Sequence, residues 1–257
     1  MRLSCNKPLS GTEDGAQGSR AEGGMGRMQA FTLRSVTFGY PGRDVFAGLS
    51  LLVPRGKLTA LVGGNGAGKS TLLSLIAGTD SPRSGLIQAH VPGRAALVVQ
   101  RSAAAGNFPI TVRGTVEMGR WGSTGLVGRM GPADRRAVER AMDRMGILGL
   151  AGRPLGELSG GQRQRALVAQ GLAQEANVLL LDEPGAGLDG RALDLIDEVL
   201  REEVDRGVTV LQATHDLERA AEADHCILLA GGRALAGKPR LVLPHRHGRF
   251  ELPVSVP

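Results

Sequence analysis

Apolar and polar positions alternate from Phe31 to Phe38, the period-two pattern of a strand with one buried face. Leu58-Thr59-Ala60-Leu61-Val62 is a short apolar run that stops at Gly63-Gly64, so a buried strand is expected to run into a glycine turn. Beyond the turn, Leu72 and Ile76, then Leu73 and Ala77, recur at four-residue spacing, which predicts a helix buried over most of its surface. Val178 to Leu181 and Val208 to Ala213 read as further buried strands, and between them Leu195, Ile196, Val199 and Leu200 form one apolar face of a helix. Strand, helix, strand predicts a parallel α/β sheet. From about Thr111 to Ala173 the period is helical only, with Val138, Ala141, Met142 and Met145 opposite Arg136, Arg140, Asp143 and Arg144. That stretch is expected to be a helical lobe inserted into the sheet domain.

The ends lack such periods. Residues 1–28 carry six glycines and scattered charge, which predicts a disordered extension, and Met1, Met25 and Met28 are all candidate starts. No apolar stretch of signal-peptide type follows its basic residues. A single globular domain is expected over 29–240, with the helical lobe at about 105–170 and a loosely packed tail from about Pro239, chiefly 241–257. His245 and His247 in that tail lack a third metal ligand in sequence.

Composition changes this picture little. The chain has 257 residues, 42% of them apolar, enough for a sizeable core, and no apolar run approaches the roughly 20 residues of a membrane span. A net charge of +6 raises the question of nucleic acid, but only 4 of the 31 basic residues are lysine and aromatics make up 3%. Arginine bias in an Ala- and Gly-rich chain accounts for the charge, and no stacking stripe for single-stranded bases is present. Cys5 and Cys226 define neither a metal site nor a disulfide framework.

The chemistry is concentrated in three motifs. Gly63-Gly64-Asn65-Gly66-Ala67-Gly68-Lys69-Ser70 fits the phosphate-loop pattern without a gap, between a predicted strand and helix. Its glycines let backbone N–H groups turn inward, and the following helix offers its N-terminal dipole to a polyanion. Lys69 supplies a point charge for β- and γ-phosphates, Ser70 a hydroxyl for Mg²⁺, and Thr71 a further phosphate contact. In Val178-Leu179-Leu180-Leu181-Asp182-Glu183, an apolar strand delivers two carboxylates at its C-terminal end, where ligands of parallel sheets bind. Asp182 is expected to hold Mg²⁺ through its water shell, and Glu183 to polarise the water that attacks the γ-phosphate.

The third motif is Leu158-Ser159-Gly160-Gly161-Gln162, followed by Arg163-Gln164-Arg165 and a helical run from Ala166 to Ala173. Ser159 and two glycines at a helix start make another anion site. With the two nucleotide motifs on either side, the chain resembles the ATP-binding subunit of an ABC transporter over roughly residues 29–240. The resemblance implies a P-loop NTPase fold: an ABC-type ATPase with a mainly parallel sheet core, an N-terminal antiparallel β subdomain and an inserted helical subdomain. It also implies that Tyr40, the chain's one tyrosine, lies against adenine, the alternative being a strand-end aromatic in the core. Gln100, ending Ala96-Leu97-Val98-Val99, looks like the family's glutamine that senses Mg²⁺ and the attacking water. His215, in Ala213-Thr214-His215-Asp216, looks like the switch histidine that contacts the γ-phosphate.

Gly187-Leu188-Asp189 resembles the D-loop that crosses to a partner subunit, and Asp189 is at the same time a candidate N-cap. Gly185-Ala186-Gly187 departs from the bulkier or hydroxyl-bearing residues common there, and the 31 residues from Lys69 to Gln100 leave little room for an extra hairpin. The family mechanism needs two chains, each ATP lying between the phosphate loop of one and Ser159-Gly160-Gly161-Gln162 of the other. It further implies integral-membrane permease subunits, an extracytoplasmic substrate-binding protein, and a place on the cytoplasmic face of the membrane.

Gln100-Arg101-Ser102, then Phe108-Pro109-Ile110-Thr111-Val112-Arg113 and Met118-Gly119-Arg120-Trp121-Gly122, are similar to the ATPases of bacterial manganese and zinc importers, with iron-siderophore and haem importers sharing part of the run. Trp121 is expected to be buried within the helical lobe, an exposed permease anchor being the alternative. ABC ATPases that act on nucleic acid form a second class. Only 58 residues separate Gln100 from Leu158, without sustained heptads, so no long coiled coil intervenes, and one cassette with two distant cysteines lacks the inserts of repair relatives.

Overall fold

The computed structural model describes residues 28–99, 110–125 and 128–243. Gln100, Cys5, His245, His247 and most of both terminal segments lie outside the described residues. The strands are β1 (Gln29–Tyr40), β2 (Arg43–Pro54), β3 (Leu58–Gly63), β4 (Ser84–Ala89), β5 (Ala96–Val98), β6 (Val178–Asp182), β7 (Thr209–Thr214), β8 (His225–Ala230) and β9 (Arg233–Gly237). The helices are α1 (Lys69–Ala77), α2 (Val112–Glu117), α3 (Trp121–Thr124), α4 (Pro132–Arg144), α5 (Gly160–Leu172), α6 (Gly190–Asp205), α7 (Leu217–Ala221) and α8 (Pro239–Val242).

The strands form two sheets. One has six strands in the order β5-β6-β7-β3-β8-β9, all parallel except the edge strand β9. Its apolar runs alternate between two cores. Leu179, Leu181, Val210 and Leu228 face the helices α2, α4, α5 and α6, whereas Leu180, Leu211, Ile227 and Leu229 face α1 and the second sheet. Burial on both faces is why these strands read as continuous apolar segments. At about 1.5–3 kcal/mol for each large aliphatic side chain fully buried, the two cores dominate the stability. Cys226 belongs to the first core, and burial pushes its thiol up to about 12.

The second sheet is antiparallel, order β2-β1-β4, and its alternating pattern buries Phe31, Leu33, Val36 and Phe38 against α1. A single strand, β4, occupies the short connection after α1, so the sheet stops at three strands. The helical lobe α2–α5 is built on Val138, Ala141, Met142 and Met145, all at most 3% exposed, as their spacing predicts. Helix α4 starts at Gly131-Pro132, where Asp134 accepts a hydrogen bond from the Gly131 N–H at 2.9 Å. The chain after residue 238 differs from the loose tail expected. Pro239 and Val242 are buried in α8, with Val242 in the first core, so ordered packing continues to Val242.

Candidate functional site

Strand order assembles the site. Because β6, β7 and β3 are adjacent and parallel, their C-terminal ends set Asp182-Glu183, Thr214-His215 and Gly63 side by side at one end of the sheet, with Val62 opposite Thr214 and Asp182 opposite Ala213.

The turn between β3 and α1 requires its glycines. Gly68 has φ 99°, and a Cβ there would lie 2.8 Å from Phe46 Cζ and from Val45 Cγ1. Gly63, extended at the strand end, has no room either, since a Cβ would sit 2.6 Å from the Leu229 carbonyl oxygen. The loop closes by a hydrogen bond from the Ala67 N–H to the Gly64 carbonyl at 3.1 Å, and α1 starts with Leu72 N–H on the Gly68 carbonyl at 2.8 Å. Asn65, Gly66 and Ser70 are exposed, whereas Lys69 and Thr71 are buried.

Lys69 folds back across its own loop. Its Nζ donates to the Gly63 carbonyl at 2.9 Å and lies 3.5 Å from Glu183 Oε1. Glu183 stands in the left-handed region at φ 46°, a conformation costing a non-glycine residue roughly 1–2 kcal/mol. Its N–H donates to the Ala213 carbonyl at 3.1 Å, which fixes it to β7 despite that cost. Its other oxygen, Oε2, is 3.8 Å from His215 Nδ1. Lys69, Glu183 and the mostly exposed His215 thus form one line of ionisable groups beside the loop. His215 is held in place by its neighbours, as Asp216 donates its N–H to Thr214 Oγ1 and its carboxylate caps α7.

Tyr40 ends β1, edge-on to Phe38 with ring centroids 5.2 Å apart, and nearly half of it is exposed. It is therefore on the surface beside the loop and not in the core. Ser159 caps α5 in a reciprocal box, its Oγ accepting from the Gln162 N–H at 3.3 Å and its N–H donating to Gln162 Oε1 at 3.1 Å. Gly160 and Gly161 occupy the first turn of that helix. Among the described residues no hydrogen bond or ion pair joins this helix start to the phosphate loop. Asp189 caps α6 through the Ala192 N–H at 2.9 Å, the local role expected of it.

A strand-turn-helix phosphate loop, carboxylates at the neighbouring strand end and a second capped helix start in a helical lobe form one arrangement, and a family model described as ABC transporter matches residues 46–186. The chain belongs to the ABC transporter ATPase family. A manganese transport system ATP-binding protein, MntB of Bacillus subtilis, is 38% identical over 80% of this chain and 85% of its own. The hemin import ATP-binding protein HmuV of Streptomyces coelicolor is 41% identical over 77% of this chain and 74% of its own. Among solved structures, cbiO1 of Clostridium perfringens, part of the ABC transporter complex cbiONQ, superposes with a TM-score of 0.69 at 30% identity, covering 83% of this chain and 90% of that one. As an ABC ATPase the chain binds ATP, and its two sheets and helical lobe are those of the family's cassette.

One expectation about this ABC subunit is corrected. Trp121 is 43% exposed and not buried in the helical lobe. The inward position two residues earlier is taken by Gly119, which packs so closely on the Gln170 carbonyl and Ala173 that no Cβ fits. Arg120 takes the polar contacts beneath, to Asp134, Glu175 and the Ala173 carbonyl, and Trp121 is left on the outer side. There it lines an open groove of about 440 Å³ with Glu117, Arg129, Met130 and Arg135. Two arginines at the site also escape the motifs. Arg43 donates to the Gly66 carbonyl at 3.1 Å, and Arg83 holds the end of β1. Neither has a sequence signal, because bonds from an arginine to a distant carbonyl leave no period or spacing.

Proposed function

We propose that this subunit hydrolyses ATP to drive a bacterial importer of divalent metal ions, zinc or manganese. The Lys69–Glu183–His215 line carries the hydrolytic part of the reading, since it places a cation, a carboxylate and an imidazole within 3.5 and 3.8 Å of one another beside the phosphate loop. The manganese transport relative supports the cargo.

In this reading the loop from Gly63 to Gly68 wraps the phosphates, and Lys69 leaves Glu183 for the β- and γ-phosphates as ATP enters. Thr71 adds a phosphate contact, and Tyr40 stacks on adenine. Glu183 then orients and deprotonates the attacking water, while His215 steadies Glu183 and the γ-phosphate. Ser70 Oγ, exposed in the first turn of α1, and Asp182 at the end of β6 are oxygen donors of the kind Mg²⁺ prefers and would hold it, with Gln100, outside the described residues, as a further ligand. A Mg²⁺ ion held there would supply neutralisation of phosphate charge.

The capped start of α5 at Ser159, Gly160, Gly161 and Gln162 has a helix N-terminal dipole and makes no hydrogen bond or ion pair to the phosphate loop of its own chain, which supports its use on the ATP of a second subunit, with Asp189 near that junction. ATP then closes the dimer, and its hydrolysis releases it. No helix among the described residues is long and apolar enough to cross a membrane, so the path for the ion is assigned to permease subunits, with Trp121 and its groove on the docking face. An extracytoplasmic binding protein that delivers the ion and a place on the cytoplasmic face complete the assembly.

A haem importer is the second reading, favoured by the hemin import relative. Reconstitution with the co-purified permease separates the two. ATP-driven uptake of Mn²⁺ or Zn²⁺ into vesicles, abolished by Glu183→Gln, is the expected result. Uptake of haem without either ion transfers the subunit to the second class.

A further inference from the structure

The ring of Tyr40 sits at the tip of a tight hairpin, Tyr40-Pro41-Gly42-Arg43, with Tyr40 directly opposite Arg43 in register. Gly39 is compressed into this turn, since a Cβ would lie 2.5 Å from the Arg43 carbonyl oxygen and 2.8 Å from Asp44 Cα. A hairpin tip with an exposed aromatic ring is ordinarily mobile. Here one side chain ties it down. Arg83, from the segment between α1 and β4, donates through Nη2 to the carbonyls of Gly39 at 3.0 Å and Tyr40 at 3.3 Å, and through Nη1 to Asp44 Oδ1 at 2.9 Å. Its own N–H donates to the Thr37 carbonyl at 2.8 Å, so backbone and guanidinium grip the same strand end. On the other side, the bond from Arg43 Nη2 to the Gly66 carbonyl fastens the hairpin to the phosphate loop.

We propose that Arg83 is a positioning residue for the nucleotide base: by holding the Gly39 and Tyr40 carbonyls and Asp44 it presets the Tyr40 ring, while Arg43 sets its distance from the phosphate loop. In this role Arg83 acts through the Tyr40 hairpin and not on the nucleotide itself. Its effect is entropic, because a platform already ordered loses less freedom when ATP docks. The planar fork of an arginine suits three acceptors spread over two strands, and a lysine ammonium on a single-point stem does not. This inference rests on the reading of Tyr40 as the adenine platform.

The test uses the full chain and compares ATP with inorganic tripolyphosphate, which has the phosphates and no base. Arg83→Ala is expected to weaken ATP binding roughly three- to tenfold, the effect of losing one preorganised group, with tripolyphosphate affinity and kcat at saturating ATP unchanged. Arg83→Lys recovers only part of the loss. Since Tyr40 is the chain's one tyrosine, a Trp121→Phe background reports it alone. ATP then quenches tyrosine emission to the same endpoint in Arg83→Ala, at a higher midpoint. If Tyr40→Ala weakens ATP binding and Arg83→Ala does not, the positioning role is overturned and the platform survives. If Tyr40→Ala leaves ATP affinity intact, the platform and the positioning role both fall. Equal losses on ATP and tripolyphosphate in Arg83→Ala mark a general disturbance of the fold, and overturn the proposal.

Discussion

Lys69 Nζ lies 3.5 Å from Glu183 Oε1, so the cation proposed to bind phosphate is paired with the carboxylate proposed to activate water. The pair keeps a buried ammonium compensated, and in the proposed mechanism phosphate takes the place of the carboxylate. Glu183→Gln removes both the competing charge and the proposed base. Turnover is expected to fall by about 10²–10⁴-fold, the range for loss of a positioned general base. ATP affinity should rise, because a neutral amide no longer competes with the phosphates for the Lys69 ammonium. Single-turnover hydrolysis and equilibrium ATP binding check both halves, with an ATP-stabilised dimer accumulating in size-exclusion chromatography. Hydrolysis at the wild-type rate would remove Glu183 from the base role.

The phosphate loop offers a paired control on backbone geometry. Gly68 and Gly64 belong to the same motif, yet only Gly68 has φ in the left-handed region together with side chains 2.8 Å from a Cβ. Gly68→Ala combines left-handed strain of about 1–2 kcal/mol with overpacking of about 1–3 kcal/mol, and should lower the melting temperature by several degrees. At Gly64 nothing lies within 4 Å of a Cβ. Gly64→Ala is expected to leave the melting temperature unchanged, so thermal unfolding of the two variants separates strain from mere presence in the motif.

The contrast shows why parts of this molecule were legible in its sequence. Gly63 to Ser70 announces itself because the turn chemistry is local, and Leu179 and Leu180 announce a strand buried on both sides because both faces are apolar. Asp189 was readable as a cap for the same local reason. Trp121 was misread because its exposure depends on which neighbour takes the inward position, and a tryptophan at Gly119 would have had no space. Val242 was not legible because a four-residue helix with buried residues only at Pro239 and Val242 is too short to show a period. Arg83 and Tyr40 are 43 residues apart, and only the pairing of β1 with β4 and β2 brings the guanidinium to the hairpin.

Acid should loosen the helical lobe at a defined place. The Gly131 N–H and the Arg120 guanidinium beside it hold the Asp134 carboxyl below its ordinary value. A carboxylate with a depressed folded-state value stabilises the fold above its unfolded value, and that contribution is lost as pH falls through the folded one. The loss therefore begins below about pH 4. Thermal unfolding followed by circular dichroism at decreasing pH should show Asp134→Asn less stable than wild type near neutrality, the gap closing as acid protonates the native carboxyl. A gap that stays constant with pH would assign the difference to shape and not to charge.

Trp121 turns the corrected exposure into a measurement. With 43% of its surface open in a groove beside Arg129 and Arg135, the chain's one tryptophan should be readily quenched by acrylamide in the isolated subunit. Because the ring is outside the core, Trp121→Ala should change stability by no more than about 0.5 kcal/mol, as other surface substitutions do. Buried aromatic anchors at the centre of an interface commonly contribute about 2 kcal/mol or more, so the same variant should weaken association with the permease roughly thirtyfold. Quenching of wild-type fluorescence should fall when the subunit joins its permease in detergent. A ring equally accessible in the complex would exclude the groove from the docking face, and a ring protected in the isolated subunit would return it to the core of the lobe.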